Sequence, residues 1–113
     1  MTRKLIDTLK GLTKMEFNTT ETLKQLTYGE NVIRFWSWGV SQRINIENKG
    51  LLLKVNARRH KSYVFITLDF TDTYDVHIIS NRGNILKSFD MVYFDMLTEI
   101  IDNEIERIPE YKD

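Results

Sequence analysis

The residues best suited to chemistry lie along one predicted hairpin. Residues 63–70 and 74–79 read as consecutive strands, rich in β-branched and aromatic side chains. With an odd loop over 71–73, Phe70 faces Tyr74, Leu68 faces Val76 and Ile66 faces Ile78, so every position on that face is apolar. A two-residue loop would mix Asp75 and His77 into the apolar set, and so the odd loop is expected. In that register Asp69 and Asp75 oppose each other on the outer face, with Asp72 at the tip and His77 two residues along. Directly opposed like charges are unfavourable, so something of positive charge belongs between them. One possibility is a divalent cation on Asp69, Asp75 and His77, since oxygen-rich sets suit magnesium or manganese. The other is Lys87, expected opposite His77 and diagonal to Asp75. Three ligands on a hairpin do not make a cage, so no metal and no cofactor is expected.

A second group is basic and aromatic. Arg58, Arg59, His60 and Lys61 form a turn, and Arg34, Arg43, Lys49 and Lys54 precede it. If residues 32–40, VIRFWSWGV, form a strand, then Arg34, Trp36 and Trp38 share one side of it. Aromatic rings beside arginines on a sheet face supply the stacking and phosphate contacts that single-stranded nucleic acid needs. The alternative is that Trp36 and Trp38 are core residues under a closing helix, with the charged loop solvated. Exposed tryptophan and arginine are also favoured anchors of protein interfaces. The candidate nucleic-acid or partner-binding residues are therefore Arg34, Trp36, Trp38, Arg58, Arg59 and Lys61.

Several classes of chemistry are set aside by the sequence. There is no cysteine, hence no disulfide, thiolate metal site or thiol nucleophile. No phosphate-binding glycine loop, nucleophile elbow or HExxH appears, and no catalytic residue is expected. No apolar run approaches the roughly 20 residues that span a bilayer, and Leu5, Ile6, Leu9 and Leu12 are interleaved with charges unlike a signal peptide. A cytoplasmic location is the expectation. The formal net charge of +0 hides a division along the chain. Residues 34–61 hold seven bases and one acid, while 62–113 hold eleven acids and four bases. Such a division either makes opposed surface patches or is neutralised within the fold.

The elements that position these residues follow from periodicity. Residues 2–14 suit a short amphipathic helix with Thr2 as a possible cap and Leu5, Ile6, Leu9 and Leu12 on one stripe; this segment could also fray or stand as an extension outside the fold. Asn18, followed three residues later by Glu21, suits a helix start, and Gly29 a stop. Residues 32–40 read as the first strand, 41–50 as a loop or weak edge segment, and 51–57 as the second strand. The turn Asn81-Arg82-Gly83 places glycine where a three-residue hairpin needs a left-handed residue, and leads to a last strand over 85–89. Asp90 is a plausible cap for a helix over 91–108, with Tyr93, Leu97, Ile100, Ile101, Ile105 and Ile108 inward and Pro109 ending it.

The segment ITLDFTDTYDVHII over 66–79, followed by VYFDMLTEIID over 92–102, resembles a group of small uncharacterised proteins encoded by phages and related mobile elements. These share an ITL…DTYDV hairpin and a VYxDxL closing helix. The similarity runs from about Met15 to about Ile105 and leaves residues 1–14 outside it. It implies the fold and a mobile-element origin, and assigns no catalytic or binding residue.

The expected fold class is α+β, an antiparallel four- to five-stranded β-meander with an N-terminal helix and a C-terminal amphipathic helix packed on one face. Residues 1–14 are expected as an N-terminal extension and 15–113 as a single domain. The expected function is non-enzymatic binding through protein–protein contacts, including self-association, with single-stranded nucleic acid on a basic, tryptophan-bearing sheet face as the alternative.

Overall fold

A computed structural model describes residues 3–106. Its centre is the pair β3 (Tyr63–Leu68) and β4 (Tyr74–Ile79), with a β-branched and aromatic run in each strand. Ten of the twelve positions that pair β3 with β4 are apolar or hydroxylated residues suited to a pleated surface, and both strands are buried almost throughout. Strands buried on both faces need a cover on each side, and the chain supplies two.

β2 (Gly50–Lys54) and β1 (Gln42–Ile46) lie beyond β3, and β5 (Ile85–Val92) lies beyond β4, giving the antiparallel meander order β1-β2-β3-β4-β5. The front face carries Leu51, Leu53, Val64, Ile66, Val76 and Ile78. Over it lie α2 (Thr19–Thr27), α3 (Asn31–Ser37) and α4 (Leu97–Ile105), which contribute Leu26, Phe35, Leu97, Ile101 and Ile105 to one core. The α+β class, the five antiparallel strands and the two flanking helices agree with the sequence expectation.

The back face is covered by α1 (Arg3–Leu12), whose Leu5 and Leu9 pack on Leu52, Tyr63, Phe65 and Ile79. Full burial of these two leucines contributes roughly 1.5–3 kcal/mol each. The helix start is tied to the β4–β5 turn, where Thr8 Oγ1 donates to the Gly83 carbonyl at 3.0 Å and Lys4 Nζ to Asn84 Oδ1 at 2.6 Å. Gly83 has the left-handed φ of 88° expected of that turn, and a side chain there would also meet the Leu5 backbone at 2.9 Å. Leu12 joins the stripe in part, whereas Ile6 turns outward. Thr2, the expected cap, lies outside the described residues. From α1 the chain crosses the end of the sheet, with Met15 bridging Leu68 and the Phe17 amide donating to the Asn48 carbonyl at 2.8 Å. Asn18 then caps α2 as expected, its Oδ1 accepting from the Glu21 amide at 3.1 Å.

Three expectations are corrected. The segment 32–40 is not a strand: Asn31–Ser37 is helical, because Phe35 and Trp38 stand at helical spacing and pack into the front core, with Val32 half-buried one turn earlier. Burial of Phe35 and Trp38, with rings 5.5 Å apart, outweighs a β-propensity worth about 1 kcal/mol across its whole scale. The segment 41–50, expected as a loop or weak edge segment, supplies the short edge strand β1 and a turn in which Glu47 and Asn48 take φ of 53° and 58°. The β3–β4 register is shifted by two residues, with Leu68 opposite Tyr74, Ile66 opposite Val76 and Val64 opposite Ile78. The odd loop and the apolar face survive that shift, but the loop is 69–73, closed by Asp69 N to Thr73 O at 2.7 Å. Finally, β5 runs to Val92, past Asp90, and a 3-10 turn (Phe94–Met96) precedes α4. Val92 is anchored opposite Tyr74, and so the strand outlasts the expected cap. Ile108 and Pro109 lie outside the described residues.

Gly50 and Gly11 form a test of this packing. A Cβ on Gly50 would fall 2.3 Å from the Phe65 ring, whereas one on Gly11 meets nothing within 4 Å. Gly50→Ala should lose about 1–3 kcal/mol and Gly11→Ala gain up to about 1 kcal/mol, read from urea midpoints at constant slope.

Candidate functional site

The hairpin carboxylates are on the back face, but not in the expected arrangement. Thr67, not Asp69, stands opposite Asp75, and His77 lies opposite Ser88, not Lys87. The positive charge comes from Lys14, just after α1, whose Nζ lies 3.0 Å from Asp75 Oδ2 and 3.2 Å from Asp69 Oδ1. Lys87 is engaged elsewhere, by Glu104 Oε1 at 3.1 Å. A cation already bridges the carboxylates, and among the described residues no cluster of acidic and histidine side chains has the geometry to hold a metal ion. Hydrogen bonds to Asp75 and then Asp69 raise the Lys14 pKa above its ordinary value. The Phe70 amide and then Lys14 hold Asp69 below the usual carboxylate value. At the hairpin tip Thr71 Oγ1 donates to Asp69 Oδ2 at 3.3 Å, while Asp72 takes the left-handed φ of 62°.

Behind this pair is a buried polar row. Thr67, Asp75 and His77 are 0%, 4% and 8% exposed. His77 Nδ1 shares a 2.7 Å hydrogen bond with Ser88 Oγ. Thr67 Oγ1, Asp75 Oδ1 and His77 Nε2 have no hydrogen-bond partner among the described residues. A buried polar atom left unpaired costs about 1–3 kcal/mol, so this face carries a local penalty at three positions. Burial lowers the His77 pKa, the Asp75 carboxylate opposes that shift, and the Lys14 ammonium adds to it. The imidazole is thus held neutral at pH 7.

The basic and aromatic residues separate. On α3, residues two apart diverge by about 200°, so Trp36 and Trp38 cannot share a side. Trp36 is 72% exposed, whereas Trp38 is fully buried and donates from Nε1 to Asp102 Oδ1 at 2.9 Å. Arg34, Arg58, Arg59 and Lys61 are exposed. The Asn56 amide donates to the Trp38 carbonyl at 2.9 Å and so sets the end of α3 against the 57–61 turn. The Arg59 amide donates to the Ile105 carbonyl at 2.7 Å, and the Arg58 amide donates to Glu106 Oε1 at 3.3 Å, so the basic turn is tied to the end of α4 through its backbone. His60 is buried with Nε2 on the Tyr63 carbonyl at 3.0 Å, a structural contact. Both sheet faces are covered, and the expected platform of Arg34, Trp36 and Trp38 on a bare sheet is therefore corrected.

Sequence reasoning passed over an apolar rim at the opposite end of the sheet. Phe70, Met91, Tyr93 and Phe94 are 72%, 61%, 56% and 41% exposed. The pairing of Tyr74 with both Leu68 and Val92 brings the 69–73 turn and the end of β5 together there. Phe94 lies 5.9 Å from the Tyr74 ring, and with Tyr28 it lines a groove of about 230 Å³ against α2. A helix starting at Met91 would point Tyr93 inward; β5 continues to Val92 instead, and Tyr93 is turned out. Comparison with known proteins finds no matching family model, no matching curated protein and no matching solved structure. No helix among the described residues is long and apolar enough to cross a membrane.

The two tryptophans offer a direct check. Iodide should quench the Trp36 share of the emission and spare Trp38, and Trp36→Phe should abolish the quenchable fraction without loss of stability. Trp38→Phe should cost roughly 1–3 kcal/mol through the lost Asp102 bond and packing.

Proposed function

We propose that this protein is a non-enzymatic binding protein that works through protein–protein contacts at the apolar rim of Tyr28, Phe70, Met91, Tyr93 and Phe94. The observation that carries the reading is the exposure of these large side chains together at one end of the sheet. Scattered exposed apolar residues need no explanation, but a concentration of aromatic and methionine side chains beside a groove is the composition of an interface core. The resemblance of the hairpin and closing helix to small phage and mobile-element proteins suits an accessory protein that binds a host component in the cytoplasm.

A second reading is supported by the other end of the molecule. Exposed Trp36 and Arg34 on α3, together with Arg58 and Lys61, combine a stacking surface with phosphate-binding charge. Single-stranded nucleic acid would then lie along a helix and a turn, not on a sheet.

Affinity capture with cross-linking, run in parallel on the wild type and Tyr93→Ser/Phe94→Ser, tests the first reading. A specific partner retained by the wild type should be lost by roughly 30-fold or more in the variant, as for hot-spot residues, with unchanged circular dichroism. Retention unaffected by the double substitution overturns the assignment. A tryptophan-fluorescence titration with single-stranded DNA at two salt concentrations tests the second. Saturable, salt-sensitive quenching that Arg58→Ala/Lys61→Ala weakens would move the function to the basic end, and no response removes that reading.

A further inference from the structure

The back face combines three features. Its cover is thin, since α1 buries only Leu5 and Leu9 fully and Thr8 and Leu12 in part. Under the cover lies the polar row of Thr67, Asp75 and His77, each with a buried atom that has no hydrogen-bond partner among the described residues. The cover is pinned at its far end by an ion pair, Lys14 to Asp75 at 3.0 Å and to Asp69 at 3.2 Å. The positions alternate along β4, so Ile79, His77 and Asp75 follow one another on this face. Leu5 and Leu9 pack at Ile79 and Lys14 bonds Asp75, and so His77 lies between the two attachments of the segment.

We propose that residues 3–14 form a pH-sensitive cover of the back face, closed while His77 is neutral and released when His77 takes up a proton. The proton comes from solvent and adds to the ring nitrogen that is bare in the neutral tautomer. The resulting imidazolium is a second cation beside Asp75. It competes with the Lys14 ammonium for that carboxylate and repels it, so the pin that holds the segment after α1 weakens. Released, Thr67, Asp75 and His77 gain water as partner, which the closed form denies them.

The groups facing His77 from each neighbouring element define the pH window. On its own strand there is Asp75, from the segment after α1 there is Lys14, from β5 there is the Ser88 hydroxyl, and from β3 the apolar Phe65 lies directly across. Lys14 and Asp69 hold each other in their charged forms, through a raised and a lowered pKa respectively, so neither titrates near neutrality. The His77 pKa in the closed form lies below its ordinary value of 6.5. A depressed pKa in the closed state means that closure is fully favoured above about pH 6.5 and is lost as pH falls through that value towards the lower one. The local opening of a thinly anchored helix falls at the low end of the stabilities within a fold, and so it responds before the central strands do.

Amide hydrogen exchange on the full chain at pH 7.5 and 5.5, corrected for intrinsic rates, tests the proposal. Opening of residues 5–12 should rise by up to about tenfold on acidification, while amides at 64–66 and 76–78 stay protected. His77→Gln should remove the pH step and leave protection at pH 7.5 in place. A step that persists in His77→Gln, or strand amides that exchange together with α1, overturns the proposal. Should His77→Gln not fold, two measurements decide it. Proton NMR of the wild type should show His77 titrating below 6.5, and Lys14→Met should raise exchange of residues 5–12 at pH 7.5 and shrink the step. A native His77 that titrates at or above 6.5, or Lys14→Met with unchanged exchange, refutes the cover.

Discussion

The burial of β3 and β4 on both faces is the constraint from which the rest of the structure follows. β3 carries large apolar side chains in both directions of the pleat, Val64 and Ile66 to the front and Tyr63 and Phe65 to the back, and β4 adds Val76 and Ile78 to the front and Ile79 to the back. Water must be excluded from both sides, so a meander that would suffice with one closing helix here needs two layers of helix. The front layer is thick, with α2, α3 and α4 sharing one core. The back layer is α1 alone. Because α1 and α2 serve opposite faces, the residues joining them must pass round the end of the sheet, which places Lys14 over the hairpin acids and Phe17 against Tyr74 at 5.8 Å.

The same constraint explains where the molecule presents its surfaces. Strand edges are ready templates for association, but both edges here are blunted. β1 is short and carries exposed Gln42, Arg43 and Asn45. β5 is interrupted by register shifts at each end and takes a positive φ of 53° at Met91. With faces covered and edges disrupted, side chains at the two ends of the sheet remain as the recognition surfaces. One end is aromatic, around Tyr93 and Phe94; the other is basic, around Arg58 and Lys61. The back-face row of Thr67, Asp75 and His77 differs from both in being enclosed, which suits it to sensing rather than to recognition.

Much of the scaffold was legible because short-range rules governed it. The cap at Asn18, the left-handed glycine at position 83, the limits of β4 and the odd β3–β4 loop each rest on a few adjacent residues whose backbone demands few alternatives satisfy. The α3 segment was misread for an equally local reason. Its aromatic and β-branched residues favour a strand on propensity, while the pattern Val32, Phe35, Trp38 that makes it a helix has meaning once a front-face core exists to receive it. That single change of element separated Trp36 from Trp38 and removed the sheet-face platform.

The candidate sites divide in the same way. By itself the sequence determined the antiparallel meander from β2 to β5, since period-two apolar alternation and turn residues fix strands and hairpins locally, and it put Asp69, Asp75 and His77 on one hairpin. The tertiary structure alone decided that Lys14, more than fifty residues away, supplies their counter-charge, that Phe94 and Tyr28 share a groove, and that α1 seals the back face. Those outcomes depend on contacts between residues distant in the chain, set by how two covering layers pack on a finished sheet and not by the propensity of any one segment.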